Sequence, residues 1–418
     1  MRGTTYQWTH HALFCAMLLL AGCASLGPQL PLTASPEDFD PQEIAFGIRT
    51  LNASGEFEVI SSREVARRLR ASLGERPLGI LALSSGGASG AFGAGALVGA
   101  ATDGAWPEFS VVTGVSSGAL LAPFAFLGPS RSEDLRTIFT EGMTDGLLQT
   151  RGLSAIFGSS LYSDQPLRKI IERYADDALV GAVATEAAKG RLLLVATTDF
   201  ATGESIIWDI GSIALHGGSN AKPLFQTLLL ASASIPGMLP PVIIRIRIQG
   251  RTRVETHVDG GVTQPFFIAP LPEDLLEPTD ESPQRTIVRV IIDGSLRNVP
   301  RPTHSNALSI FSRSVSAGLS HATRAKLQAT VAALQQRGIP LEYAAIPASY
   351  PHGGVFDFSP AAERSLFEYA AACARTGHLL IHARTKGQES LGQQPLAHDG
   401  PACPAEDSFI GRLAALRE

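Results

Sequence analysis

The chain is short of charge. Charged residues make up 17% of its 418 positions, and acidic groups outnumber basic ones only slightly, for a net charge of −5. With no cationic excess it lacks the electrostatic footprint of a nucleic-acid binder and offers no basic patch to anionic lipid. An apolar content of 44% excludes a disordered chain. No internal repeat is visible, which sets aside solenoids and propellers. The histidines and carboxylates show no H-x-x-E-H or similar spacing, so no catalytic metal is expected, and no cofactor either. Long apolar runs are missing too: the one at the start, from Ala12 to Ala21, falls short of the roughly 20 residues that span a bilayer.

What that run does form, with Arg2 ahead of it and Leu20-Ala21-Gly22-Cys23 behind, is a secretory signal over residues 1–22. The small residues before Cys23 resemble the lipobox of bacterial lipoproteins, which implies cleavage before Cys23 and acylation of that residue. Ala24, where sorting would read Asp as a retention signal, implies the outer membrane. Several acyl chains on one residue, at about 0.8 kcal/mol per buried methylene, hold a protein firmly to a bilayer. The expected location is therefore the bacterial cell envelope. Of four cysteines, Cys15 lies in the signal and Cys23 at the anchor. Cys373 and Cys403 remain, a candidate pair for one disulfide in an oxidising compartment, with two unpaired thiols as the alternative.

Residues 23–60, beginning in a stretch rich in Pro, Ser, Leu and Gly, read as a tether. A globular domain follows over 61–387, and 388–418 read as a loop-like tail. Ser62 to Leu73 has the spacing of an amphipathic helix behind a serine cap. Leu78 to Leu83, Phe109 to Thr113, Arg191 to Asp199, Glu204 to Asp209, Ile243 to Ile248 and Arg285 to Ile292 read as strands. Ser305 to Arg337 and Ala361 to Cys373 read as helices. Continuous apolar strands alternating with helices predict an α/β fold whose mostly parallel sheet is covered on both faces.

Gly114-Val115-Ser116-Ser117-Gly118 lies between the Phe109–Thr113 strand and a small-residue apolar segment starting at Ala119. In that strand–turn–helix context a G-x-S-x-G pentapeptide is a nucleophile elbow, with Ser116 presented at a helix start that favours developing negative charge. Ser84-Ser85-Gly86-Gly87-Ala88-Ser89-Gly90 follows the Leu78–Leu83 strand. Its backbone N–H groups can converge on an oxyanion, whereas the G-x-G-x-x-G register and P-loop lysine of a nucleotide site are missing. Val258-Asp259-Gly260-Gly261 puts an aspartate on a tight turn, either a plain Asp-Gly turn or a base facing the serine. Asp199, Asp209 and Asp357 read as turn or capping residues. Val115, Ala119 and Phe92 are expected beside an acyl group, by adjacency to these motifs.

Together the Gly-rich loop, the G-x-S-x-G and the Asp259-Gly260-Gly261 turn, in that order, resemble the patatin-like phospholipases. Ala231-Ser232-Ala233-Ser234-Ile235-Pro236 resembles that family's segment before its aspartate. The resemblance covers about residues 78–292. It implies a three-layer patatin-like fold and a lipid or phospholipid acyl hydrolase with a Ser116–Asp259 dyad. The Gly86, Gly87 and Ala88 N–H groups would form the oxyanion hole, and the partners would be a lipid ester and the membrane that holds the anchor. Two departures stand out: Ser85 replaces a glycine and Ser89 the basic residue of the family's loop, which bears more on phospholipid preference than on acyl hydrolysis. The rival readings are a Ser–His–Asp esterase, drawing on His304, His321, His352, His378 or His382, and a non-catalytic lipid-binding scaffold.

Overall fold

A computed structural model describes residues 47–383 and 401–404, except 74–75, 103–107, 151, 153–157, 272–274, 276–285, 298–299, 301–302 and 352. The signal, Cys23 and most of the tail lie outside the described residues. Two short strands, β1 (Ile48–Leu51) and β2 (Phe57–Ile60), precede α1 (Ser62–Leu73). Then follow β3 (Gly79–Leu83), α2 (Gly90–Thr102), β4 (Val111–Val115), α3 (Ser117–Leu127), α4 (Ser132–Thr140), α5 (Gln165–Tyr174) and α6 (Asp177–Ala188). Next come β5 (Leu192–Asp199), β6 (Glu204–Asp209), α7 (Ile210–His216), α8 (Ala221–Ser232), β7 (Val242–Ile248) and β8 (Arg251–Asp259). The chain closes with β9 (Ile287–Ile292), α9 (Ala307–Gln335), β10 (Leu341–Ala345), α10 (Pro360–Arg375) and β11 (Ile381–His382).

The strands form one sheet in the order β11-β10-β9-β3-β4-β5-β6-β1-β2-β7-β8. Its centre, from β10 through β9, β3 and β4 to β5, is parallel throughout. Those strands are buried along nearly their whole length, which is why they read as unbroken apolar runs rather than alternating ones. Two apolar layers cover the sheet. On one face α2, α3, α8 and α10 pack through Phe92, Phe124, Leu229 and Phe367. On the other, α1 and α9 contribute Val65, Leu69, Leu327 and Val331, joined by Phe266 and Phe267. The fold is thus a three-layer α/β arrangement.

The expected tether does not extend to residue 60. β1 pairs antiparallel with β2 and parallel with β6, so residues 48–60 are sheet, not linker. Four-residue strands with a turn between them are too short to give a pattern in sequence, and their order comes from partners some 150 residues away. β2 continues to β7, β7 to β8, and β8 returns to β5, so six strands close on themselves. The closure buries a polar cluster. Arg49 Nη1 donates to Glu255 Oε2 at 2.6 Å, and His257 Nε2 lies 3.1 Å from the same oxygen. The Thr197 hydroxyl lies 2.9 Å from His257 Nδ1 and accepts from Trp208 Nε1 at 2.8 Å.

Cys373, on α10, is disulfide-bonded to Cys403, 30 residues on, and Tyr369 donates its hydroxyl to the Ala402 carbonyl beside it. Part of the expected tail is therefore fastened to the core. Closing a loop of that length restricts the unfolded chain, a contribution of about 3–4 kcal/mol on chain-entropy grounds. Cys403→Ser is expected to lower unfolding stability by that order, read from the midpoint of a urea titration; a loss below about 1 kcal/mol would show the bridge to be a bystander.

Candidate active site

β4 delivers Ser116 to the carboxyl edge of the parallel sheet. Ser116 takes φ 56°, ψ −122°, a conformation costly for a residue with a side chain, and it caps α3. The turn is tight enough that a side chain at Gly118 would collide with the Leu83 carbonyl, which explains the second glycine of the pentapeptide. The elbow is held from α8: Ser116 N–H donates to the Ser232 hydroxyl at 3.0 Å, which in turn donates to the Ala196 carbonyl at 2.7 Å. Two residues on, the Ser234 carbonyl accepts the Asp259 N–H. The Ala231–Pro236 segment thus braces both partners, a role that only tertiary structure discloses.

Sheet register brings the partners together. Along one edge of β5, residues 192–196 pair with β4, and residues 197–199 pair with the end of β8. Where β4 leaves the sheet at the elbow, β8 takes over the vacated edge, opposing Asp259 to Thr197. Ser116 Oγ donates to Asp259 Oδ2 at 2.6 Å, and Gly261 N–H donates to Oδ1 at 2.7 Å. Both side chains are buried. Burial pushes the Asp259 carboxyl up to about 7, against the hydrogen bonds from Ser116 and Gly261, which favour its charged form. A carboxylate raised that far is a competent proton acceptor at neutral pH.

The Gly-rich loop runs beside this pair, ahead of α2. Among the described residues, no protein acceptor takes the Gly86 or Gly87 N–H. Ala88 does not fit its expected part: its N–H donates to the Val355 carbonyl at 3.0 Å, so the segment before α10 already occupies that donor. Sequence offers no sign of this, since Val355 lies more than 250 positions away. The three residues expected beside the acyl group are also core residues. Phe92 and Ala119 belong to one apolar layer and Val115 to the other, and all three are fully buried.

Asp293, just past β9, went unseen in the sequence. Its Oδ1 accepts the Gly93 N–H at 3.0 Å, its Oδ2 lies 3.2 Å from the Ser117 hydroxyl, and its own N–H donates to Ser84 Oγ at 2.9 Å. One buried side chain therefore ties together the helix behind the Gly-rich loop and the helix behind the nucleophile. Desolvation raises its carboxyl well above the usual range. The remaining aspartates behave as expected. Asp209 caps α7, and Asp199 and Asp357 accept bonds from their own turns.

No histidine meets the dyad among the described residues: His257 is turned to Thr197 and Glu255, and Asp259 is engaged by Ser116 and Gly261. His352 lies outside the described residues. No cluster of three or more His, Cys, Asp or Glu side chains suited to a metal occurs among the described residues, and no helix there is long and apolar enough to cross a membrane.

The family model for patatin-like phospholipase matches residues 81–272. The chain carries a patatin-like phospholipase domain. Among solved structures, the crystal structure of VipD from Legionella pneumophila is similar at 12% identity, with a TM-score of 0.30, over 81% of this chain and 71% of that one. No curated protein matches the chain in sequence. The patatin-like domain spans the Gly-rich loop, Ser116 and Asp259, and it carries lipid acyl hydrolase chemistry as its general activity.

The buried acid leaves a mark on stability. The unfolded Asp259 carboxyl titrates near 4 and the folded one near 7, so the folded chain holds the proton more tightly. Its stabilising contribution is complete below pH 4 and is lost as pH rises through 7. Glu363, also pushed up to about 7 by burial, acts in the same direction. Unfolding free energy from urea titrations is expected to fall between pH 5 and pH 8, and Asp259→Asn to flatten that fall by about 3 kcal/mol. A variant as pH-sensitive as wild type would mean that Asp259 titrates normally.

Proposed function

We propose that the protein is a membrane-tethered carboxylic-ester hydrolase, a phospholipase A or lysophospholipase type of enzyme acting through a Ser116–Asp259 dyad. The observation that carries this reading is the 2.6 Å hydrogen bond from Ser116 Oγ to a buried carboxylate with no histidine between them. Ser116 Oγ attacks the ester carbonyl carbon while its proton passes to Asp259 Oδ2. The tetrahedral oxyanion is held by the Gly86 and Gly87 N–H groups at the head of α2, with the N-terminus of α3 adding its positive end. Collapse expels the alcohol, which takes the proton from Asp259. Water, deprotonated by the same carboxylate, then releases the fatty acid from Ser116. Each oxyanion donor is worth about 3 kcal/mol in comparable hydrolases.

On this reading, p-nitrophenyl esters of graded chain length are hydrolysed with preference for longer chains. Ser116→Ala and Asp259→Asn each lower kcat at least a thousandfold while the folded protein persists. kcat/KM rises with pH around an apparent pKa near 7, the value at which Asp259 becomes a base. An Asp259→Asn protein that keeps its turnover would make the aspartate structural and call for a histidine. A wild type inert on every ester would favour the lipid-binding scaffold.

The domain limits and the anchor belong to the same reading: a signal over 1–22, acylation at Cys23, a tether ending before β1, and a place in the bacterial envelope at the outer membrane. Support comes from the lipobox-like Leu20-Ala21-Gly22-Cys23. Expression with radiolabelled palmitate is expected to label wild type and leave Cys23→Ser unlabelled and free of the membrane fraction; equal labelling of both would remove the anchor.

A further inference from the structure

β3 and β9 leave the sheet side by side, and Asp293 is the first residue past β9. Several parts of the site meet on it. Its N–H donates to Ser84 Oγ at 2.9 Å, at the root of the Gly-rich loop. Its backbone and Cβ lie so close to Gly86 that a side chain there would collide with both. Its Oδ1 accepts the Gly93 N–H at 3.0 Å, in the first turn of α2, and a side chain at Gly93 would strike the same oxygen. Its Oδ2 lies 3.2 Å from the hydroxyl of Ser117, which directly follows Ser116.

These contacts bear on the groups the reaction would use. The Gly86 N–H is one of the donors given to the oxyanion, and Ser117 opens the helix behind the nucleophile. The loop follows β3 and the elbow follows β4, so the order of the chain alone does not fix their spacing. Asp293, arriving from β9, grips both. A misplacement of about 1 Å between nucleophile and oxyanion donors is enough to cost a large factor in rate. The residue chosen for this place also speaks for more than packing. Asp293 is 1% exposed, and burying a carboxyl costs free energy that a leucine would not. Departures of that kind from good core chemistry collect at functional sites.

We propose that Asp293 is a positioning residue, which sets the Gly86 and Gly87 N–H groups against Ser116 Oγ. The proposal rests on the acyl-hydrolase reading above. Asp293 acts through the loop and the elbow, not on the substrate. The two donors bind an oxyanion present only in the tetrahedral states of acylation and deacylation, so displacing them slows both steps alike. kcat then falls while KM stays.

The test uses the full chain and p-nitrophenyl hexanoate, with turnover counted per Ser116 labelled to completion by a fluorophosphonate. A merely structural residue would lower the labelled fraction and leave turnover per labelled serine unchanged. Asp293→Ala is expected to lower that turnover at least about thirtyfold, with KM within about twofold of wild type. Asp293→Asn keeps a carbonyl for the Gly93 N–H and offers an amide to the Ser117 hydroxyl; it is expected to recover at least about tenfold of the loss. Ser117→Ala removes one grip only and is expected to lose about fivefold, which decides the matter should Asp293→Ala not fold. Unchanged turnover in the alanine variants, a loss in Asp293→Asn equal to that in Asp293→Ala, or a KM that rises as kcat falls overturns the proposal. A wild type inert on every ester overturns the hydrolase reading instead, and with it the catalytic part of the proposal. Hydrogen exchange then decides the rest. Amide protection lost at the Gly-rich loop and the start of α3 in Asp293→Ala, and restored in Asp293→Asn, keeps Asp293 as the residue that orders them; unchanged protection removes it.

Discussion

The site depends on a handover along one edge of β5. A strand can pair with one neighbour at a time on each edge. β6 fills one edge of β5 from Leu194 to Asp199, and the other passes from β4 to β8 between residues 196 and 197. Because β4 runs parallel to β5 and β8 antiparallel, both ends point to the same junction. Ser116 and Asp259 meet there through backbone register rather than through a flexible side chain. A slip of one residue on either strand would turn Ser116 or Asp259 to the opposite face of the sheet. The six-stranded closure, with its buried Arg49–Glu255–His257 cluster, keeps β8 in place. Burying that ion pair is expensive, and Glu255 meets part of the cost by bonding both Arg49 and His257 through Oε2, while its buried Oε1 has no hydrogen-bond partner. These neighbours hold its carboxyl down to about 2 despite desolvation.

Burial then sets the chemistry. An exposed aspartate near pKa 4 is too weak a base to take a hydroxyl proton at neutral pH. The dry packing that fixes the position of Asp259 also raises its carboxyl to about 7, so its order and its hold on a proton have one cause. Asp293 uses the same device differently. Buried in the core, with its carboxyl raised by desolvation, it tethers α2 to α3 by hydrogen bonds. Two buried carboxyl groups therefore have different partners: the Ser116 hydroxyl and the Gly261 N–H for Asp259, the Gly93 N–H and the Ser117 hydroxyl for Asp293.

What the sequence disclosed was local. The elbow, the Gly-rich loop and the Asp-Gly-Gly turn are legible because tight backbone conformations demand glycine at fixed spacings. The parallel strands are legible because burial on both faces leaves an apolar run. The long helix α9 shows through its caps and length. The unread parts are non-local. β1 and β2 carry no pattern of their own, the bond from Ser116 N–H to Ser232 is not visible in the segment the motif names, Asp293 is an ordinary polar residue until folding brings it to the loop, and the engagement of Ala88 depends on Val355. A motif can name the residues whose backbones must be special. It does not name those that hold them there.

The Gly-rich loop shows how a motif can lose two of its residues and keep its shape. A cation at the position of Ser89 would support the loop by charge. Here the support is backbone and buried side chain: Ser84 N–H donates to the Ile291 carbonyl, Ser85 N–H to Pro265, and Ala88 N–H to Val355. Ser84 Oγ, itself donating to the Ser85 carbonyl, receives the Asp293 N–H. Those bonds come from β9, the turn after Asp259 and the segment before α10, so the loop is fixed from three directions. Among the described residues they leave the Gly86 and Gly87 N–H groups of the loop without a protein acceptor. A loop fixed in this way needs no cation for its order.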